Sequence, residues 1–165
     1  MEKLKARYGS LCDAIASLQD AIALHDETCK EKKAYELQLA GPSDEVAHHG
    51  DDFKKVTHLE RLVMATRDSV VQRFDYSLDL LCKYLKDYLE RDGIADPSLL
   101  SPRGIVRLAG KIQLISEQET EVALEMIESR NRTSHLYREE IAQIVANTAN
   151  EYFQLMYAIL LRTKP

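Results

Sequence analysis

The sequence predicts an all-α protein, an up-and-down antiparallel bundle of four to five helices. Apolar residues recur at steps of three and four along most of the chain, the period of a helix with one buried face. Punctuation is sparse, with only six glycines and four prolines in 165 residues, which leaves long uninterrupted windows and disfavours a many-turned β architecture. No segment reads as a strand, and helices alone then form the layers of the core.

The totals agree with one soluble unit. A chain of 165 residues with 45% hydrophobic and 30% charged residues can bury a substantial core, so residues 1–165 are read as a single domain. The net charge of −5 argues against a general nucleic-acid coat and leaves room for a local basic site; no DNA partner is expected. Cys12, Cys29 and Cys82 are odd in number and form no CxxC pair, which suits neither a disulfide framework nor a zinc site and predicts reduced, buried thiols. The N-terminus Met-Glu-Lys-Leu-Lys leads into no signal peptide or membrane span. A cytoplasmic protein without metal or cofactor is expected.

The first helix carries Leu4, Tyr8, Leu11, Ile15, Leu18 and Ile22 as one stripe and extends to about Ala40, where Gly41-Pro42 is a stop signal. Residues 41–56 lack periodicity and read as a loop. His48 and His49 sit there among acidic residues, but ligands need a rigid supporting shell, so a solvated loop is the expectation. Thr57 and Glu60 fit a capping box that would open the second helix. Its core stripe runs Leu59, Val63, Val70, Phe74, Leu78, Leu81, Leu85 and Tyr88, ending near Arg91 with Gly93 beyond. Asp68-Ser69 offers an alternative start, with a break near residue 67.

Ser101-Pro102 predicts the start of a third helix, with serine as N-cap and proline where its missing N–H costs nothing. That helix buries Ile105, Leu108, Ala109 and Ile112. Its other face carries Arg103, Arg107 and Lys111 at i, i+4 and i+8, and no carboxylate falls between residues 97 and 116. A solvated face is the plain reading of such a row, and a contact with RNA or a nucleotide is the functional one. A fourth helix over the acidic stretch 117–128 turns Val122, Met126 and Ile127 inward. A last helix buries Ile141, Val145, Thr148, Tyr152, Leu155 and Ile159, with Glu139-Glu140 in its first turn as the helix dipole prefers.

Between the last two helices lies Arg130-Asn131-Arg132-Thr133-Ser134-His135-Leu136-Tyr137. A simple helical hairpin would place Gly or Pro at this junction. On a continuous helix Arg130 and His135 stand about 140° apart, so they cannot meet at one phosphate within one chain. Either the polar Asn131–Ser134 stretch breaks the helix, or a two-fold partner supplies the missing group. A cleft holding both would have an imidazole to move protons and a guanidinium to grip a phosphate, which fits metal-independent RNA cleavage by attack of the ribose 2′-OH. The structural alternatives are a histidine packed at a helix junction, an arginine paired with Glu128 or Glu139, and a tyrosine packed at an interface.

This stretch resembles the Arg-x4-His-x-Tyr motif of HEPN-domain proteins, in particular those paired with minimal nucleotidyltransferases. Asp68–Asp75, Leu85–Leu89, Ser101–Arg103 and Ser134–Glu140 are also similar to the branch called nucleotidyltransferase substrate-binding proteins, with likeness over about residues 1–25 and 65–160. The resemblance implies a helical bundle that forms a homodimer, with the motif of both copies lining one cleft. It implies an endoribonuclease toxin whose catalytic residues are Arg130, Asn131 and His135. A cognate nucleotidyltransferase antitoxin would silence it by transferring AMP to Tyr137, placing bulk and negative charge where an RNA phosphate must sit. A non-catalytic substrate-binding subunit of a two-component nucleotidyltransferase is the alternative. Two departures stand out: Cys82 replaces a commonly aromatic residue, and residues 26–58 form a longer, family-variable loop or insertion.

Overall fold

The computed structural model describes residues 2–40, 49–94, 100–135 and 139–165, with the backbone alone for His49 and for residues 133–135. Among them are five helices and no strand: α1 (Glu2–Leu39), α2 (His49–Arg91), α3 (Pro102–Lys111), α4 (Glu117–His135) and α5 (Glu139–Arg162). None of them is long and apolar enough to cross a membrane.

α1 and α2 form an antiparallel hairpin along their whole described length, and the polar contacts between them keep one register. Lys3 and Arg7 reach Asp87, Arg7 Nη1 donates to the Lys83 carbonyl, Ser77 Oγ to that of Ala14, and Arg73 Nη1 to that of Ser17. Farther along, His25 Nδ1 lies 2.9 Å from Thr66 Oγ1. The Thr66 hydroxyl already donates to the Leu62 carbonyl, so His25 Nδ1–H must be the donor toward it. Burial lowers the pKa of His25, consistent with this neutral tautomer. Tyr35 Oη donates to Asp52 Oδ1 at 2.6 Å, and Lys55 Nζ stands 4.2 Å above the Tyr35 ring.

These last contacts correct two expectations. Residues 49–56 are helical rather than loop, and α2 passes through Thr57 and Arg67 without a cap or a break. The segment lacks an apolar stripe because it packs on the extension of α1 through polar and cation–π contacts instead of a core. The region 26–58 is therefore largely a lengthened helical hairpin; residues 41–48, His48 included, lie outside the described residues.

α5 closes the bundle. It packs on α1, α2 and α4, burying Ile141, Val145, Ala149, Tyr152, Met156 and Ile159. Its Tyr152 ring stacks on Phe74 of α2 at 5.1 Å between centroids, and Tyr84 of α2 donates to the Thr163 carbonyl at its end. The predicted stripes of α1 and α2 supply the other wall, with Leu11, Leu18, Val70, Phe74 and Leu89 fully buried. Cys82 is buried as expected, whereas Cys12 and Cys29 are only half-buried; all three are free thiols.

The short α3 lies antiparallel to α4. Ser101 Oγ accepts from the Gly104 N–H, and Pro102 opens the helix, as the sequence predicts. Near the other end Gly110 meets Thr120 so closely that a Cβ there would overlap the threonine side chain. α2 ends at Gly93 (φ 69°), where the Gly93 and Ile94 N–H groups return to the Glu90 and Leu89 carbonyls. α3 ends in the same pattern on Gln113 (φ 61°), a residue with a Cβ in a conformation that favours glycine.

Candidate functional site

α4 is helical without interruption from Glu117 to His135, which removes the first of the two solutions for the Arg–His pair. Asn, Thr and Ser at 131–134 have modest helix propensity, yet the preceding turns bury Ala123, Met126 and Ile127 and carry the helix onward. Arg130 and His135 thus stand about 140° apart on one rigid helix. Tyr137 lies outside the described residues.

Arg130 is half-buried on α4 and Asn131 is exposed beside it. Both line a cavity of about 330 Å³ between α2, the start of α3, and α4. Leu78 and Cys82 of α2 and Ile127 of α4 contribute apolar side chains to its lining. Asp79, Ser101, Arg103, Arg130 and Asn131 supply the polar groups. Burial pushes the Cys82 thiol up to about 11, with Asp79 adding to the effect and Arg130 opposing it, so the thiol is neutral. A small neutral side chain here leaves open the space that a large aromatic would fill.

The ion pairs around the cavity differ from the sequence expectation. Arg130 Nη2 lies 3.7 Å from Asp79 Oδ1, across from α2, while Lys83 Nζ holds the other carboxylate oxygen at 2.6 Å. Glu128 pairs with Arg103 of α3. Glu139 takes the buried Arg67 of α2 at 3.2 Å, and Arg67 also bonds Asp68. This last pair ties the first turn of α5 to α2, two residues after Tyr137.

The cationic row on α3 is divided by the fold. Arg103 faces the cavity that holds Arg130, whereas Arg107 and Lys111 line a separate open cleft with Glu117, Glu119 and Arg162. Carboxylates absent from the local sequence arrive from α4. In that cleft Arg162 grips Glu119 through two bonds of 2.6 and 2.7 Å, and Glu119 also accepts from the Ser116 N–H while Ser116 Oγ accepts from the Glu119 N–H. The arginine, with help from this capping box, holds the Glu119 carboxyl down to about 2. Asp79, Leu78 and Ser101 were not singled out as site residues from sequence. Only the crossing of α2, α3 and α4 brings them to Arg130.

A five-helix bundle with a long N-terminal hairpin and a polar cavity at the third and fourth helices is the class defined so far. The chain belongs to the family described as nucleotidyltransferase substrate binding protein like, which matches residues 6–164. The match runs through the extended hairpin as well as the motif. A crystal structure of a protein from Thermus thermophilus has the same fold, with a TM-score of 0.65, 24% identity, and coverage of 94% of this chain and 99% of that one. No curated protein matches the chain.

Proposed function

We propose that the chain is the toxin of a two-component module, a metal-independent endoribonuclease silenced by a cognate nucleotidyltransferase. The observation that carries this reading is the presence of Arg130, Asn131, His135 and Tyr137 in one motif of a chain that belongs to the nucleotidyltransferase substrate-binding family. Because α4 is straight through the motif, a productive site pairs Arg130 of one copy with His135 of a second. The imidazole takes the 2′-OH proton, O2′ attacks phosphorus, and the P–O5′ bond breaks. A proton returns to O5′, leaving a cyclic phosphate and a 5′-hydroxyl. Arg130 stabilises the charge that gathers on the phosphoryl oxygens. Transfer of AMP from ATP to the Tyr137 hydroxyl, with release of pyrophosphate, introduces an anion at the same cleft and repels the substrate.

The family favours a second reading, in which the chain is a binding subunit of a nucleotidyltransferase and cleaves nothing. RNA cleavage by purified protein in EDTA separates the two. The ribonuclease reading expects loss of about 10²–10⁴-fold in rate for Arg130→Ala and His135→Ala. Cleavage that persists in either variant removes the mechanism. Incubation with a cognate nucleotidyltransferase and ATP is expected to add AMP mass to the wild type and none to Tyr137→Phe; an unmodified wild type counts against Tyr137 as the switch.

A further inference from the structure

The cavity beside Arg130 has a function of its own in this geometry. We propose that it is a pocket for a single nucleoside monophosphate unit, with the phosphate between Arg130 and Arg103 and the base against Leu78, Cys82 and Ile127. This deepens the reading above, since it names what lies next to the scissile bond, but it rests on the cavity and does not require cleavage.

Three features support the assignment. The volume of about 330 Å³ lies at the lower end of the range of small-molecule pockets, about 300–1,000 Å³, which suits one nucleotide and not a longer segment. The lining combines an apolar side with convergent polar groups, the division a base and its phosphate require. Two guanidiniums from different helices, α3 and α4, share the rim, and the N-terminal end of α3 at Ser101-Pro102 adds its partial positive charge. Each guanidinium has a carboxylate at hand, Asp79 for Arg130 and Glu128 for Arg103. A phosphate carries more charge and more acceptor oxygens than either carboxylate and can displace both. Asp79 is then a competitor that the ligand must evict, held ready by Lys83 at 2.6 Å.

Titration calorimetry with the purified chain tests this, using the four nucleoside 5′-monophosphates, a nucleoside, inorganic phosphate and a short RNA as probes. A nucleotide is expected to bind about tenfold or more tightly than inorganic phosphate or the nucleoside, because the cavity engages both halves. Arg103→Ala is expected to weaken nucleotide binding about tenfold, and Asp79→Asn to strengthen it severalfold by removing the competing carboxylate. Both positions are outside the core, and circular dichroism checks that the variants fold. Tighter binding of the short RNA than of mononucleotides makes an RNA chain the source of the unit, and the reverse makes it a free nucleotide. Equal affinity for phosphate and nucleotide, no binding at millimolar nucleotide, or weakening by Asp79→Asn overturns the pocket. Nucleotide binding without RNA cleavage refutes only the ribonuclease, and cleavage without nucleotide affinity refutes only the pocket.

Discussion

Arg130 and Glu119 show how a residue's chemistry is set by partners far away in sequence. Arg130 meets Asp79 and Glu119 meets Arg162, both through contacts between helices. For Glu119 the consequence is a pH dependence. Its folded pKa, about 2, lies below the ordinary 4.5, so the carboxylate is the form the fold prefers. The resulting stability is present in full above about pH 4.5 and disappears as pH falls toward 2. The side chain is 23% exposed, so solvent screens part of the interaction. Glu119→Gln is expected to cost on the order of 1 kcal/mol at neutral pH. In denaturant titrations the gap to wild type should narrow steadily from pH 4.5 to pH 2; a gap that does not change with pH counts against the assignment.

At the scale of the helix, ends and registers decide more than stripes do. Gly93 and Gln113 terminate α2 and α3 with the same pair of backbone bonds, yet only one is glycine. The Cβ of Gln113 is strained in the left-handed region by roughly 1–2 kcal/mol, part of which glycine would return as unfolded-state entropy. Gln113→Gly is therefore expected to stabilise the protein by about 0.5–1 kcal/mol, read as a higher denaturant midpoint at unchanged slope. A lower midpoint would sink that account of the α3 end. The α1–α2 pair illustrates the other half of the point. Its outer part, beyond Thr28 on α1 and before Leu59 on α2, contains no buried side chain among the described residues. It is held in register by Lys32–Glu60, Tyr35–Asp52 and Lys55 over the Tyr35 ring. Polar contacts of that kind leave no hydrophobic period for a sequence reading to find.

For the molecule as a whole, the straight α4 has the largest consequence. A helix that does not break between Arg130 and His135 cannot bring them to one phosphate, so the proposed cleavage needs two copies. Mixing two inactive variants tests this directly. Arg130→Ala and His135→Ala, unfolded together and refolded as a mixture, produce mixed dimers in which one of the two composite sites is intact. Random pairing predicts about a quarter of wild-type cleavage from the mixture and almost none from either variant alone. Failure of complementation, while wild type refolds to full activity, would falsify the shared site.

The sequence by itself determined the helical class, the inward faces of all five helices, the Ser101-Pro102 start of α3 and the stop at Gly93. Each follows from local chemistry: a 3.6-residue period, a side-chain cap, a missing N–H, a residue without a Cβ. The motif and the family were legible as well, because Arg130, Asn131, His135 and Tyr137 are close together in the chain. Only the tertiary structure decided that residues 49–56 are helical, that α4 continues through its polar stretch, and that Arg103 parts company with Arg107 and Lys111. It also placed Asp79, Cys82 and Ser101 beside Arg130. Those outcomes depend on contacts between residues 17 to more than 50 positions apart, such as Tyr35 with Asp52 and Asp79 with Arg130. Local propensity does not record a partner on another helix, and here such partners shape both the site and its charge.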